Sequence, residues 1–298
     1  MNELTIEKVS AELDVLFSKA GKSMETIDRY IHQKRIENAH IYNLIQLLIR
    51  HFNDAGDEDL ANELGLHGFC GCKVTRLSNV IRKMYGEEIF AKIFDGVEYP
   101  AESWTDWTQT ERKDFALFIQ KKILSVISED DYRRAMEGVS RTWVSDDGSV
   151  GTTKKDVTLS DLDAFIKESN ENHVNYHGTD NTALEAFDSE EWKIRREGSK
   201  VTVVQIPFLK NKYLSQTDEK MKRYYACRCP WVRASILKGE TVASSFCHCS
   251  LGYQKQGFET FFGRHLDGRV VKSVVDEGVL QCVFEIDIPN DIMEGSYD

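Results

Sequence analysis

Residues 192–208 read WKIRREGSKVTVVQIPF, and their period decides the fold. Ile194 lies in one run, Val201, Val203 and Val204 lie in the next, and Gly198-Ser199 stands between them. Two extended runs joined by a turn at 197–200 predict a β-hairpin. A second hairpin is predicted in RVVKSVVDEGVLQCVFEIDIP at 269–289, where Asp276, Glu277 and Gly278 supply the turn. There Leu280, Cys282, Phe284, Ile286 and Ile288 alternate onto one face, which points Cys282 into a core. Residues 251–263, LGYQKQGFETFFG, read as a helix between the hairpins.

Upstream the period is 3.6. Val9, Leu13, Leu16 and Phe17 share a helical face, and Ile27, Ile31, Ile41, Leu44, Leu47, Leu48 and Phe52 continue the pattern. Further helices are expected over 74–84, 87–94 and 110–127. Residues 145–190 are rich in Asp, Ser, Thr, Asn and Gly, with a short helical candidate at 159–167. The expected class is α+β: a helical region over 1–145, an irregular linker over 146–190, and a C-terminal α/β domain with an antiparallel sheet over 191–298.

With 298 residues, 41% hydrophobic and 10% aromatic, the chain can bury a substantial core, and its four prolines exclude a Pro-rich disordered or collagen-like polymer. No stretch is long and apolar enough for a membrane span, and the acidic start differs from a secretory leader, so a cytoplasmic protein is expected. The net charge of −11 disfavours nucleic acid as a partner. Residues 209–272 nevertheless hold twelve Lys and Arg against five Asp and Glu, a local +7 that would attract a small anionic molecule.

Six of the seven cysteines form three C-x-C pairs: Cys70 with Cys72, Cys227 with Cys229, and Cys247 with Cys249. Residues i and i+2 rarely meet disulfide geometry, and a cytoplasmic chain keeps its thiols reduced. Metal ligation or a reactive thiolate remains. If 225–229 and 246–249 are extended, each pair puts both sulfurs on one face, and adjacent strands would bring four together. Zinc, or an iron-sulfur cluster, would accept such a set at Cys227, Cys229, Cys247 and Cys249. Cys70, Cys72, Cys282 and His67 are possible additional ligands. Alternatively, Ser250 caps the following helix and Gly263 ends it, placing Cys249 at the positive end of a helix dipole. Cys249 is then a candidate nucleophile with His248 as base. His173 and His177 read as loop histidines, and Glu259 as a solvated or structural charge.

The run CRCPW at 227–231, followed by FCHCSLGYQKQGFETFFG and the final hairpin, resembles the C-terminal pattern of L-2-amino-thiazoline-4-carboxylate hydrolase-like proteins. Cys227, Cys229, Pro230, Cys247, Cys249, Ser250, Gly252, Phe258, Glu259, Gly263, Gly278, Cys282, Phe284 and Ile286 carry it, over about a quarter of the chain. The same unit is similar, more distantly, to 4-vinyl-reductase-type ligand-binding domains. In zinc-containing sensors of that type, cysteines flanking a Gly-Tyr helix start and one in the last strand help ligate the metal. Cys249, Gly252-Tyr253 and Cys282 match those places. The resemblance implies either a small-molecule or metal-binding module, or a hydrolase cleaving a C–N bond of a small anionic, possibly heterocyclic, substrate.

Overall fold

The structure, a computed structural model, describes residues 5–36, 41–55, 57, 60–61, 64, 71–98, 109–140, 157–176, 184–229 and 231–294. Two compact units divide the chain, Met1–Thr75 with Glu98–Thr108 and Arg76–Val97 with Gln109–Asp298. Helices occupy most of the described chain and one antiparallel sheet lies in its C-terminal part, an α+β protein.

In the first unit, α1 (Ile6–Ala20), α2 (Met24–Ile36) and α3 (Ile41–Asp54) meet over an apolar core. Thr5 caps α1, its hydroxyl accepting the Lys8 N–H. Val9, Leu13, Ile27, Ile31, Leu44, Leu48 and Phe52 are the buried members of the stripes read from the sequence. The long segment expected over Ile27–Phe52 is therefore two helices, whose connection falls outside the described residues. Helix α4 (Gly71–Phe94) is broken at Gly86, which sits at φ 81, between the two helices that the sequence indicates. A positive φ suits glycine, which has no Cβ to clash.

The second unit contains α5 (Gln109–Leu124), α6 (Glu129–Val139) and α7 (Leu159–Tyr176) as well as the sheet. Helix α7 continues well past the expected 159–167, through an Asn-rich stretch. His173 is thus helical rather than in a loop. Strands β1 (Arg195–Glu197), β2 (Lys200–Gln205), β3 (Gly268–Lys272) and β4 (Cys282–Asp287) run in the order β1-β2-β4-β3, all pairs antiparallel. Both predicted hairpins are present, and the register sets Val201 against Ile286 and Val203 against Phe284. These side chains form one core with Leu162 and Ile166 of α7 and with Leu251, Phe258 and Phe262 of α11 (His248–Phe262); Cys282 packs against it. Between β2 and α11 the chain folds into α8 (Lys210–Ser215), α9 (Glu219–Ala226) and α10 (Arg233–Lys238); a last helix, α12 (Asn290–Glu294), follows β4. No described helix is long and apolar enough to cross a membrane.

Candidate functional site

The two C-terminal C-x-C pairs are not on strands. Cys227 is the C-cap of α9, and Cys229 lies in the irregular link before α10, where its carbonyl accepts the Arg233 N–H. Cys247 ends a 3₁₀ turn, Ser244–Cys247, and is also the N-cap of α11; Cys249 is the second residue of that helix. The expectation of paired extended segments is corrected here. Asp218 caps α9 through the Met221 N–H, and that helix runs to Ala226, into the 225–229 stretch supposed extended; Cys227 alone is shown extended there, as its C-cap. Ser250 lies inside α11 and does not cap it, whereas Gly263 ends it as expected.

The fold nonetheless brings the sulfurs into one interior. Cys227, Cys229 and Cys249 are buried, and none of the five described cysteines is in a disulfide. The Cys247 sulfur lies 3.1 Å from the Ser273 hydroxyl, which also faces the Cys282 thiol. Burial pushes the Cys247 thiol far above its ordinary range, and neighbouring Cys282, Cys227 and Cys229 push it further. Burial likewise raises Cys282 to about 11, against the opposing pull of the Val274 backbone, Ser273 and Arg228. The Arg228 guanidinium, held by burial down to about 10, donates to the Ile206 carbonyl at 3.1 Å.

Tyr132 of α6 lies within electrostatic reach of these thiols. Burial drives its phenol well above the ordinary value, and Cys249 leads the charges that add to this, with Cys247 and Cys229 behind it. Among the described residues neither the Tyr132 hydroxyl nor the adjacent Gln120 amide nitrogen makes a hydrogen bond of acceptable geometry.

Beside the thiols runs a buried charged row. His248, Gly252, Lys255 and Glu259 recur at i, i+4, i+7 and i+11 and share one face of α11. Glu137 of α6 meets this face with both carboxylate oxygens, taking the His248 Nδ1–H at 3.0 Å and the Lys255 ammonium at 2.6 Å. Gly252 allows the approach, because a methyl group there would run into the Glu137 backbone carbonyl. Lys255 stands 3.7 Å from Glu259, which also pairs with His265 at 2.8 Å. Burial pushes the Glu137 carboxyl up, but the His248 hydrogen bond and the Lys255 charge outweigh it, leaving it below its ordinary 4.5. Glu259, 1% exposed, is a structural charge and not a solvated one.

Sequence reasoning named the four sulfurs of the C-terminal pairs but not Tyr132, Glu137, Lys255 or Ser273. Lys255 and Glu259 were visible as charges in register with Gly252, a helix face that close packing would bury. Tyr132 and Glu137 carry no motif and reach the site only through tertiary packing. Cys70, His67 and His177 lie outside the described residues, as do the side chains of Cys72 and His173. Among the described residues, no three Cys, His, Asp or Glu side chains stand grouped as a bound ion would hold them. Comparison with family models, with curated proteins and with solved structures finds no match to this chain.

Proposed function

We propose that the second unit is a binding module for a soft metal ion, zinc being the first choice, in a reducing, cytoplasmic setting. Cys227, Cys229, Cys247 and Cys249 are the ligands, with Cys282 in reserve beside Cys247. One observation carries this reading: cysteines from three separate segments come together in the second unit, where Cys282, Cys227 and Cys229 all bear on the Cys247 thiol. Thiolate sulfur is the donor that zinc prefers, and an ion displaces the thiol protons and cancels the repulsion that keeps them on. The donor chemistry therefore fits, although the sulfurs must draw closer than they stand.

The double variant Cys229→Ser, Cys247→Ser tests the assignment. Protein purified without oxygen is expected to carry about one zinc per chain, and the variant to lose it together with thermal stability. Unchanged metal content in the variant would rule out these ligands; iron with sulfide in the parent would replace zinc by a cluster.

A second reading, a thiol-dependent hydrolase of the kind the resemblance implies, is favoured by the Glu137–His248 pair. A carboxylate on Nδ1 orients an imidazole and leaves Nε2 to act as base. The basic 209–272 segment would draw in a small anionic substrate. Against it, adjacent helical residues project about 100° apart, so His248 and Cys249 do not naturally face one another. Iodoacetamide decides: an activated nucleophile requires faster labelling of Cys249 than of Cys282 near neutral pH, and equal rates remove this alternative.

A further inference from the structure

Two of the five described cysteines differ from the rest in exposure: Cys247 and Cys282 are half-buried, whereas Cys227, Cys229 and Cys249 are buried. The same two meet at one hydroxyl. The Cys247 sulfur, at the end of a 3₁₀ turn that packs on β3, lies 3.1 Å from the Ser273 Oγ. Ser273 directly follows β3, and the ladder sets Lys272 against Val283, so the next position along it puts Ser273 opposite Cys282, the first residue of β4. Opposite residues of an antiparallel pair stand side by side on one face, and the Cys282 thiol shares a hydrogen bond with the Ser273 hydroxyl.

One oxygen between two sulfurs spaces them by two hydrogen-bond lengths at most, roughly 7 Å. A change of χ1 rotamer swings a cysteine sulfur by about 3 Å, so rotation of the two side chains, with Ser273 giving way between them, brings the sulfurs into bonding reach. The other thiols are placed less well for such a bond. Cys227 turns its sulfur to the Cys229 carbonyl, at 3.9 Å, and is only two residues from Cys229. Cys249 is 1% exposed and likewise stands two residues from Cys247. A disulfide is uncharged and suits the interior that pushes both thiols up. The same burial makes its closure slow and its reopening by thiolate slow as well.

We propose that Cys247 and Cys282 are a redox-modification site, which hydrogen peroxide closes into a reversible disulfide across the place of the Ser273 hydroxyl. One sulfur attacks the peroxide O–O bond; an S–O bond forms, giving a sulfenic acid, and the departing oxygen leaves as water with that thiol's proton. The second sulfur then attacks the first. The S–S bond forms, the S–O bond breaks, and the sulfenic hydroxyl leaves as a second water with the second thiol's proton. The two sulfurs together lose two electrons, and the peroxide gains them. The new bond ties the N-cap of α11 to the start of β4. It needs no metal ion, and the proposal stands apart from the metal reading.

The test is a peptide map of the native chain, reduced, held in chelator so that no ion shields its sulfurs, treated with hydrogen peroxide and then digested without reduction. Two of the seven thiols should be lost, the mass should fall by two hydrogens, and the peptide holding Cys247 should be joined to the one holding Cys282. Dithiothreitol should restore both thiols. In Cys282→Ser the joined peptide should disappear, and Cys247 should remain as a sulfenic acid that dimedone captures. The map of the parent decides even if that variant folds poorly. A link from Cys247 or Cys282 to any other cysteine, or oxidation of the two sulfurs separately with no link between them, would overturn the proposal.

Discussion

Val9, Leu13, Ile27, Ile31, Leu44, Leu48 and Phe52 fill the first unit with aliphatic and aromatic side chains, and Lys34, a buried cation of that unit, is paired with the partly exposed Glu12. The second unit instead buries Glu137, Lys255, Glu259 and His248 together with Cys227, Cys229, Cys249 and Tyr132, with Cys247, Cys282 and Arg228 half-buried beside them. An apolar interior holds a fold together at little electrostatic cost. Buried ions work against stability unless each is paired, so the second unit's interior is the electrostatically costlier of the two, and it is the unit to which the proposed site belongs.

The largest test of that contrast is Lys255→Met. It leaves Glu137 and Glu259 facing each other without their shared cation, and denaturant unfolding should show a loss of about 3–5 kcal/mol. A near-neutral result would mean that the charged row is not held as described. Leu44→Ala should cost about 2–5 kcal/mol through the cavity it opens in the first unit. It should nevertheless leave the labelling rates of Cys227, Cys229, Cys247 and Cys249 in the native protein unchanged; altered rates would break the separation between the two interiors.

Acid sharpens the comparison. Glu137 has a folded value below the ordinary 4.5, so it binds its proton more weakly in the folded chain than in the unfolded one. Its contribution is complete above the unfolded value and disappears as the pH falls through the folded one. Glu12, also lowered, contributes in the same direction from the first unit, where hydrogen bonds from Lys34 and Tyr30 overcome the opposing effect of burial. Glu137→Gln should accordingly flatten, without abolishing, the loss of stability between about pH 5 and pH 3. An unchanged slope would contradict a lowered Glu137. At the small end, Ser128 caps α6, the helix that carries both Tyr132 and Glu137, by accepting the Asp131 N–H. Ser128→Ala should lower stability by about 1 kcal/mol.

Where periodicity was long and regular, it was read correctly. The hairpin around Gly198-Ser199, the alternation through Phe284 and Ile286, and the break in α4 all follow from residues local to each element. The middle of the second unit carries no legible element in the sequence, because the short helices α8, α9 and α10 have too few turns to display a period. There Asp218 and the tertiary contacts of Trp231 and Arg233 decide instead. The candidate site was half legible for the same reason. Its sulfurs announce themselves by spacing, whereas Tyr132, Glu137 and Ser273 are brought in from α6 and from the end of β3 by packing that no local pattern encodes.

The central proposal, that the clustered thiols are ligands for a soft ion, is tested most directly by titrating the reduced, metal-free protein with zinc under anaerobic conditions. Bound metal and released protons should be followed together. The account predicts saturation near one zinc per chain with about two or more protons released for each ion bound at neutral pH. No uptake, or uptake without proton release, would contradict it.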